Sequence, residues 1–187
     1  MISSEQAHQS QRGDAHPNQN TATIISNNLK MSDPSNSKSV SFSLLALRLF
    51  ASALMVHHGL EKLSGVEGFT TFVVDEYFPF LPFDHTLWTL AAAYTQIIGS
   101  ALLLTGLATR AASIGLASTM AFALLFHGMD TGLQGAPLGI VDAHNYEYEA
   151  SALYFVIFAV LSLLGGGRFG ISGLIQSSLP KRLQPWA

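Results

Sequence analysis

The side chains best suited to chemistry are a few ionisable and amide residues embedded in apolar sequence. Arg48, His58 and Lys62 lie in one apolar stretch and Gln96 in a second; His127 closes a third, and Glu147 and Glu149 open a fourth. Imidazole exchanges protons near neutral pH, Arg and Lys stabilise developing negative charge, and carboxylates and carboxamides share hydrogen bonds. The chain has no cysteine. A thiol nucleophile, a disulfide framework, a zinc–thiolate site and a cysteine-ligated iron–sulfur cluster are therefore excluded. Three uses of the set stay open. It could be a structural network that fixes helix register, a pocket for a quinone or another small substrate, or a metal or haem site built from imidazoles and carboxylates. Against the last, no dense His-Glu-x-x-His spacing and no haem or nucleotide motif occurs. His85, His8 and His16 read as plain surface residues.

The elements that must position these residues follow from composition. The 187 residues are 49% hydrophobic and only 11% charged, against about 25% charged in an ordinary soluble domain. A net charge of −3 with no basic cluster argues against a nucleic-acid partner. Residues 1–39 are rich in Ser, Asn and Gln and cannot bury enough apolar surface to offset their ordering entropy, so they read as a disordered tail. That tail lacks the basic start, apolar core and small-residue cleavage site of a signal peptide, and Met31 is an alternative beginning. From Ser41 the chain gathers its apolar residues into four stretches, Ser41–Leu63, Leu87–Ala108, Ala111–Met129 and Tyr148–Gly167. Each is close to the roughly 20 residues that span a bilayer. The predicted fold class is all-α, a membrane-embedded four-helix bundle over residues 40–175 with a short cytoplasmic tail at 176–187. Gly106-Leu-Ala-Thr-Arg110 punctuates the second and third stretches, so Thr109 and Arg110 mark a tight hairpin.

Orientation follows from the basic residues. With the N-terminus cytoplasmic, Arg12, Lys30, Lys38, Arg48, Arg110, Arg168, Lys181 and Arg182 fall on or near the inner side and only Lys62 near the other. The positive-inside rule then gives N-in and C-in. The acids from Glu61 to Glu149 gather at the outer ends and loops. The outer connection 65–86 carries Phe, Val and Tyr residues between its acids and ends in Pro79 and Pro82, which predicts an interfacial or re-entrant segment. At 100° per residue, Arg48, His58 and Lys62 share one arc of the first helix and His57 and Glu61 point away, with His58 about 15 Å further out than Arg48. A charge at mid-helix costs at least about 2.5–3.5 kcal/mol on insertion scales, so this arc faces the bundle and has partners. Gln96 sits among small residues that permit close helix approach. The outer ends of helices one, three and four coincide in this topology, so His58, Lys62, His127 and Glu149, with His144 in reach, are expected to converge there.

The run Arg48-Leu-Phe-Ala-Ser-Ala-Leu-Met-Val-His-His-Gly-Leu-Glu-Lys62 resembles the first helix of DoxX family membrane proteins. Gln96-Ile-Ile-Gly-Ser-Ala-Leu-Leu-Leu-Thr-Gly-Leu-Ala-Thr-Arg110 is similar to the family's second helix and hairpin. Asn145-Tyr-Glu-Tyr-Glu149, followed by an apolar helix and Gly165-Gly-Gly-Arg-Phe-Gly170, resembles its fourth. The resemblance covers about Ser43–Leu174. Two positions depart from it: Gln96 stands where relatives commonly have Glu, and Ser172-Gly173 where they carry an Asp. The first departure removes a carboxylate that could pair with Arg48 or relay a proton. The resemblance implies a four-helix bacterial inner-membrane protein, linked in some relatives to quinone-coupled thiosulfate oxidation or membrane redox complexes.

Two functions of different kinds follow. One is an accessory or structural membrane subunit whose outer face docks a redox-enzyme partner. The other is an oxidoreductase subunit that binds quinone between its helices, with His58 or His127 bonded to a quinone carbonyl and Arg48 or Lys62 stabilising charge. No intrinsic electron carrier is visible, so electrons would come from a partner or bound cofactor. A small transporter is a third use of the polar ladder, weakened by the lack of an inverted repeat. The lipid bilayer is the first partner in every case, and a homo-oligomer is compatible with each.

Overall fold

The computed structural model describes residues 38–142 and 145–172. The polar N-terminal tail with Met31, His8 and His16, the C-terminal tail, His144 and Gly173 lie outside the described residues. Four long helices carry the fold: α1 (Lys38–Ser64), α2 (His85–Thr105), α3 (Thr109–Asp130) and α4 (Glu147–Leu164). Each is long and apolar enough to cross a membrane, and among the described residues there is no strand. The chain is a multi-pass membrane protein. Large apolar side chains such as Phe50, Phe72 and Leu163 are exposed, as expected where lipid rather than water is the solvent.

Helix ends follow local chemistry. α2 begins at Asp84, whose side chain accepts a 2.8 Å hydrogen bond from the Thr86 backbone N–H. This is a standard N-cap. The cap hydrogen bond holds the Asp84 carboxyl below the usual carboxylate range. α2 ends in a Schellman turn, with Leu107 N–H bonded to Leu102 O, Gly106 N–H to Leu103 O, and Gly106 at φ 69°. Only glycine takes that left-handed conformation without cost. Ala108 (φ 48°) follows, and α3 starts at Thr109, which makes the hairpin as tight as the sequence required.

The connection between α1 and α2 is folded onto the bundle. It forms one α-helical turn, Val66–Phe69, and a π-helical stretch, Thr70–Asp75, before the Pro79–Pro82 bends. Val74 and Phe78 are buried, and Thr70 bonds Thr89 of α2 through their hydroxyls at 2.8 Å. Tyr77 donates to Asp130 at the end of α3 at 2.6 Å, a bond that raises its phenol pKa. Its ring stands edge-on to Phe126 at 4.9 Å. The expected interfacial segment is thus a helical strap pinned to α2 and α3.

α1 packs mainly on α2 and α3 on α4, the two pairs meet along the α2–α3 seam, and α1 scarcely touches α4. Close approach depends on missing side chains. A Cβ at Gly59 would stand 2.8 Å from Ala93 O across α1–α2, and one at Gly99 would stand 2.9 Å from Leu116 Cγ across α2–α3. Such small residues replace the hydrophobic effect as the basis of helix association in lipid. The apolar core (Leu44, Ala51, Met55, Leu103, Leu116, Phe158, Leu161 and neighbours) fills the half of the bundle near the α2–α3 hairpin.

Candidate functional site

Arg48 is 1% exposed and sits where α2 and α4 end. Its Nε donates to Leu103 O at 3.0 Å, Nη1 to Gly166 O, and Nη2 to Phe169 O at 3.4 Å. Leu103 O belongs to the last turn of α2, where the helix dipole is negative and where it also accepts Gly106 N–H; Gly166 O and Phe169 O belong to the turn that follows α4. Among the described residues no carboxylate pairs with Arg48. Three glycines line the guanidinium: a Cβ at Gly106, Gly166 or Gly170 would stand 2.8, 3.0 or 3.2 Å from its nitrogens. The Gly166 Cβ would also meet Thr109 Oγ1 at 2.6 Å, and Arg110 Nε lies 3.2 Å from the Cβ position of Gly165. Ser172 closes the cage by donating its backbone N–H to Gly106 O and accepting from Ala108 N–H, both at 3.2 Å. Thr109 therefore borders the Arg48 cage at Gly166, and Arg110 lies against the neighbouring Gly165.

Toward the other end the helices part and enclose a cavity of about 490 Å³. Its wall is mostly apolar or small, including Phe69, Val73 and Phe78 of the strap, Ala91 and Ala92 of α2 and Phe122 and Ala123 of α3. His58 and Lys62 enter from α1, Gln96 from α2, His127 from α3, and Glu147 and Tyr154 from α4. Lys62 Nζ donates to His58 O at 3.2 Å and lies 4.8 Å from the centre of the Phe69 ring. No carboxylate among the described residues lies within ion-pair distance of it. His58 meets the Tyr154 ring edge-on at 6.0 Å. Gln96 is 2% exposed, and its Oε1 is buried without a hydrogen-bond partner. His127 Nδ1 also lacks a hydrogen bond and has Glu147 Oε2 at 3.9 Å. An apolar hollow with a few convergent polar groups, two of them unpaired, is the form of a small-molecule site.

The sequence-predicted residues thus divide. His58, Lys62, Gln96 and His127 line one cavity; Arg48 stands apart, with its hydrogen bonds spent on carbonyls rather than on Gln96. Glu149 is exposed and does not line the cavity, and Glu147 takes that place. Helical phase explains the exchange, because Glu147, Ala150, Ser151 and Tyr154 follow the i, i+3, i+4, i+7 stripe and Glu149 lies about 200° away from Glu147. His57 and Glu61 are exposed, as the helical arc required. His85 is more than a surface residue: its ring nitrogens meet Asp75 Oδ1 at 2.6 Å and Leu81 O at 3.1 Å, tying the strap to the head of α2. Sequence reading did not single out Tyr154 or Trp88 as cavity residues. Their signal was the same helical stripe that holds Glu147 and Gln96. Among the described residues no cluster of three or more His, Asp or Glu could hold a metal ion.

The DoxX family model matches residues 43–129, from the first turns of α1 through α3, somewhat under half of the chain. Over that segment the chain is similar to the DoxX family. No curated protein and no solved structure matches it. The DoxX segment contains Arg48, His58, Lys62, Gln96, Thr109, Arg110 and His127. It stops short of α4, so the glycine turn that completes the Arg48 cage and the Glu147–Tyr154 wall rest on geometry alone.

Proposed function

We propose that this DoxX-like protein is a quinone-binding subunit of a membrane redox system, held N-in and C-in in a bacterial inner membrane. The observation that carries the reading is the convergence of His58, Lys62, Gln96 and His127 on one apolar cavity of about 490 Å³. A quinone needs a flat apolar hollow with hydrogen-bond partners for two oxygens and a cation to stabilise negative charge on reduction. Lys62 supplies the cation. The Gln96 carboxamide can donate to a carbonyl or accept from a hydroxyl without changing protonation, so it suits both oxidised and reduced ligand, whereas a Glu would have to gain a proton before it could donate. His58, or His127 beside Glu147, is the candidate for proton exchange. The quinone would supply the redox chemistry, and electrons would enter from a partner enzyme docked at the acidic outer face.

The test is to purify the full chain in mild detergent, record its optical spectrum, and extract and assay bound quinone. Near-stoichiometric quinone that falls severalfold in Lys62→Met and Gln96→Leu supports the reading. A folded protein without quinone that also fails to take up added decylubiquinone overturns it. The accessory-subunit reading would then stand, favoured by an Arg48 cage that is wholly structural.

A further inference from the structure

Quinone is one ligand that the cavity suits; how a ligand reaches it is a separate question. Two edges of the cavity are open. Along the α2–α3 seam the helices are in contact at Thr95, whose Cγ2 would stand 3.2 Å from a Cβ at Gly115. One turn further out, Ala91 and Ser118 line the cavity and are exposed. The opening has the small side chains Ala91 and Ser118 at its centre and the rings of Trp88 and Phe122 one turn further out, and it lies within two helices long and apolar enough to span a membrane. The other edge lies between α1 and α4, where Ala150 is exposed and lines the cavity beside Glu147 and His58. It is polar. The inner wall between the two holds the unpaired Gln96 carboxamide, 2% exposed, and Lys62 with no carboxylate partner among the described residues.

We propose that the cavity is entered from the bilayer between α2 and α3, and that its ligand is a membrane-borne amphiphile whose head pairs with Gln96 and Lys62 and whose tail leaves over Ala91 and Ser118. The head identity rests on the quinone reading above; the route does not. An apolar tail gains nothing by crossing the Glu147 edge, whereas the α2–α3 opening continues the cavity into lipid with no charged group in the way. Ser118 spends its hydroxyl proton on Ile114 O at 2.9 Å, so the sill presents no free donor to a passing chain.

Trp88 lines the cavity and reports on it. The chain has two tryptophans, and Trp186→Phe leaves Trp88 alone. The full chain with that change is placed in phosphatidylcholine vesicles and titrated with decylubiquinone and with the same ring lacking its tail. Saturable quenching of Trp88 by decylubiquinone is expected. Ser118→Phe should raise its half-saturating concentration at least tenfold, and Ala150→Phe should change it less than twofold. Gln96→Leu should weaken both probes by about tenfold. Equal binding by the Ser118→Phe protein, or blockage by Ala150→Phe instead, overturns the route. A second arm uses vesicles with bromine at mid-acyl chain and no quinone. Quenching of Trp88 that Ser118→Phe removes would keep the route even if neither quinone binds, in which case only the quinone reading falls. No quenching in either arm overturns both.

Discussion

The two ends of this bundle hold the same kinds of side chain and use them in opposite ways. At the hairpin end a guanidinium is 1% exposed, and its donors are absorbed by backbone carbonyls of α2 and of the turn after α4, inside a cage of glycines. At the other end an ammonium, a carboxamide and two imidazoles border a cavity, and Gln96 Oε1 and His127 Nδ1 are unpaired. The hairpin end also has unpaired hydroxyls, on Ser100, Thr109 and Ser113. These are small side chains that do not line the cavity, and close helix approach is what their positions use. A buried polar group that is satisfied holds a fold together; one left unsatisfied in a roomy, polar-lined hollow is capacity for something else. The comparison separates stability from binding by position along the bundle.

The largest effect should come from Arg48→Ala. It leaves the Gly166 and Phe169 carbonyls without their donor and takes from Leu103 O one of its two, at about 1–3 kcal/mol for each buried unsatisfied group. A loss of about 3 kcal/mol or more is expected in detergent, read as a large drop in the thermal unfolding midpoint. Arg48→Lys should recover only part of it, because one ammonium cannot span acceptors on two helix ends. An Arg48→Ala protein as stable as the wild type would show that the cage is incidental. Gly166→Ala comes next, since its Cβ would meet Thr109 Oγ1 at 2.6 Å and Arg48 Nη1 at 3.0 Å. Overpacking of this kind costs about 1–3 kcal/mol. The contrast is Gly68→Ala in the strap, where nothing lies within 4 Å of the added Cβ and no loss is expected. Equal melting shifts for the two would refute the crowding argument.

How much of this division was legible beforehand depends on its range. Four spans, their order and the hairpin at Thr109–Arg110 follow from local signals, namely apolar length and the Gly106 turn. The shared face of Arg48, His58 and Lys62 follows from helical phase. The partners of Arg48 do not, because they are backbone carbonyls, which every sequence has. The only trace was the Gly165-Gly-Gly-Arg-Phe-Gly170 run, whose glycines admit a guanidinium from a helix 118 residues away in sequence. Glu147 rather than Glu149 in the cavity wall turns on the phase of a helix whose start the sequence leaves uncertain by a residue or two. The strap was readable as apolar and interfacial. Its docking through Thr70–Thr89 and Tyr77–Asp130 depends on tertiary pairing that no local pattern encodes.

Gln96→Leu sharpens the same comparison from the other end. Replacing an unpaired buried carboxamide by an apolar side chain of similar size removes a desolvation penalty and no internal hydrogen bond. The thermal midpoint of the ligand-free protein should hold or rise, by about 1 kcal/mol at most, while quinone retention falls. A stability loss comparable to that of Arg48→Ala would mean that Gln96 belongs to the structural half.

The smallest expected effect lies at the strap's junction with α2. The Asp84 carboxyl is lowered below its ordinary value by the Thr86 cap bonds. A group whose folded pKa is depressed contributes stability above its unfolded value and loses it as pH falls through the folded one. The cap should therefore hold at neutral pH and fail only in acid, below the ordinary carboxylate range. Tyr77 runs the other way: its pKa is raised by Asp130, so its tie is intact below the ordinary phenol pKa and is lost as pH rises through the higher folded value. Limited proteolysis across 76–84 as a function of pH reads both ends, with Asp84→Ala expected to flatten the acid limb and Tyr77→Phe the alkaline limb. Unchanged limbs in both variants would show that neither the Asp84 cap nor the Tyr77–Asp130 bond helps to hold the strap.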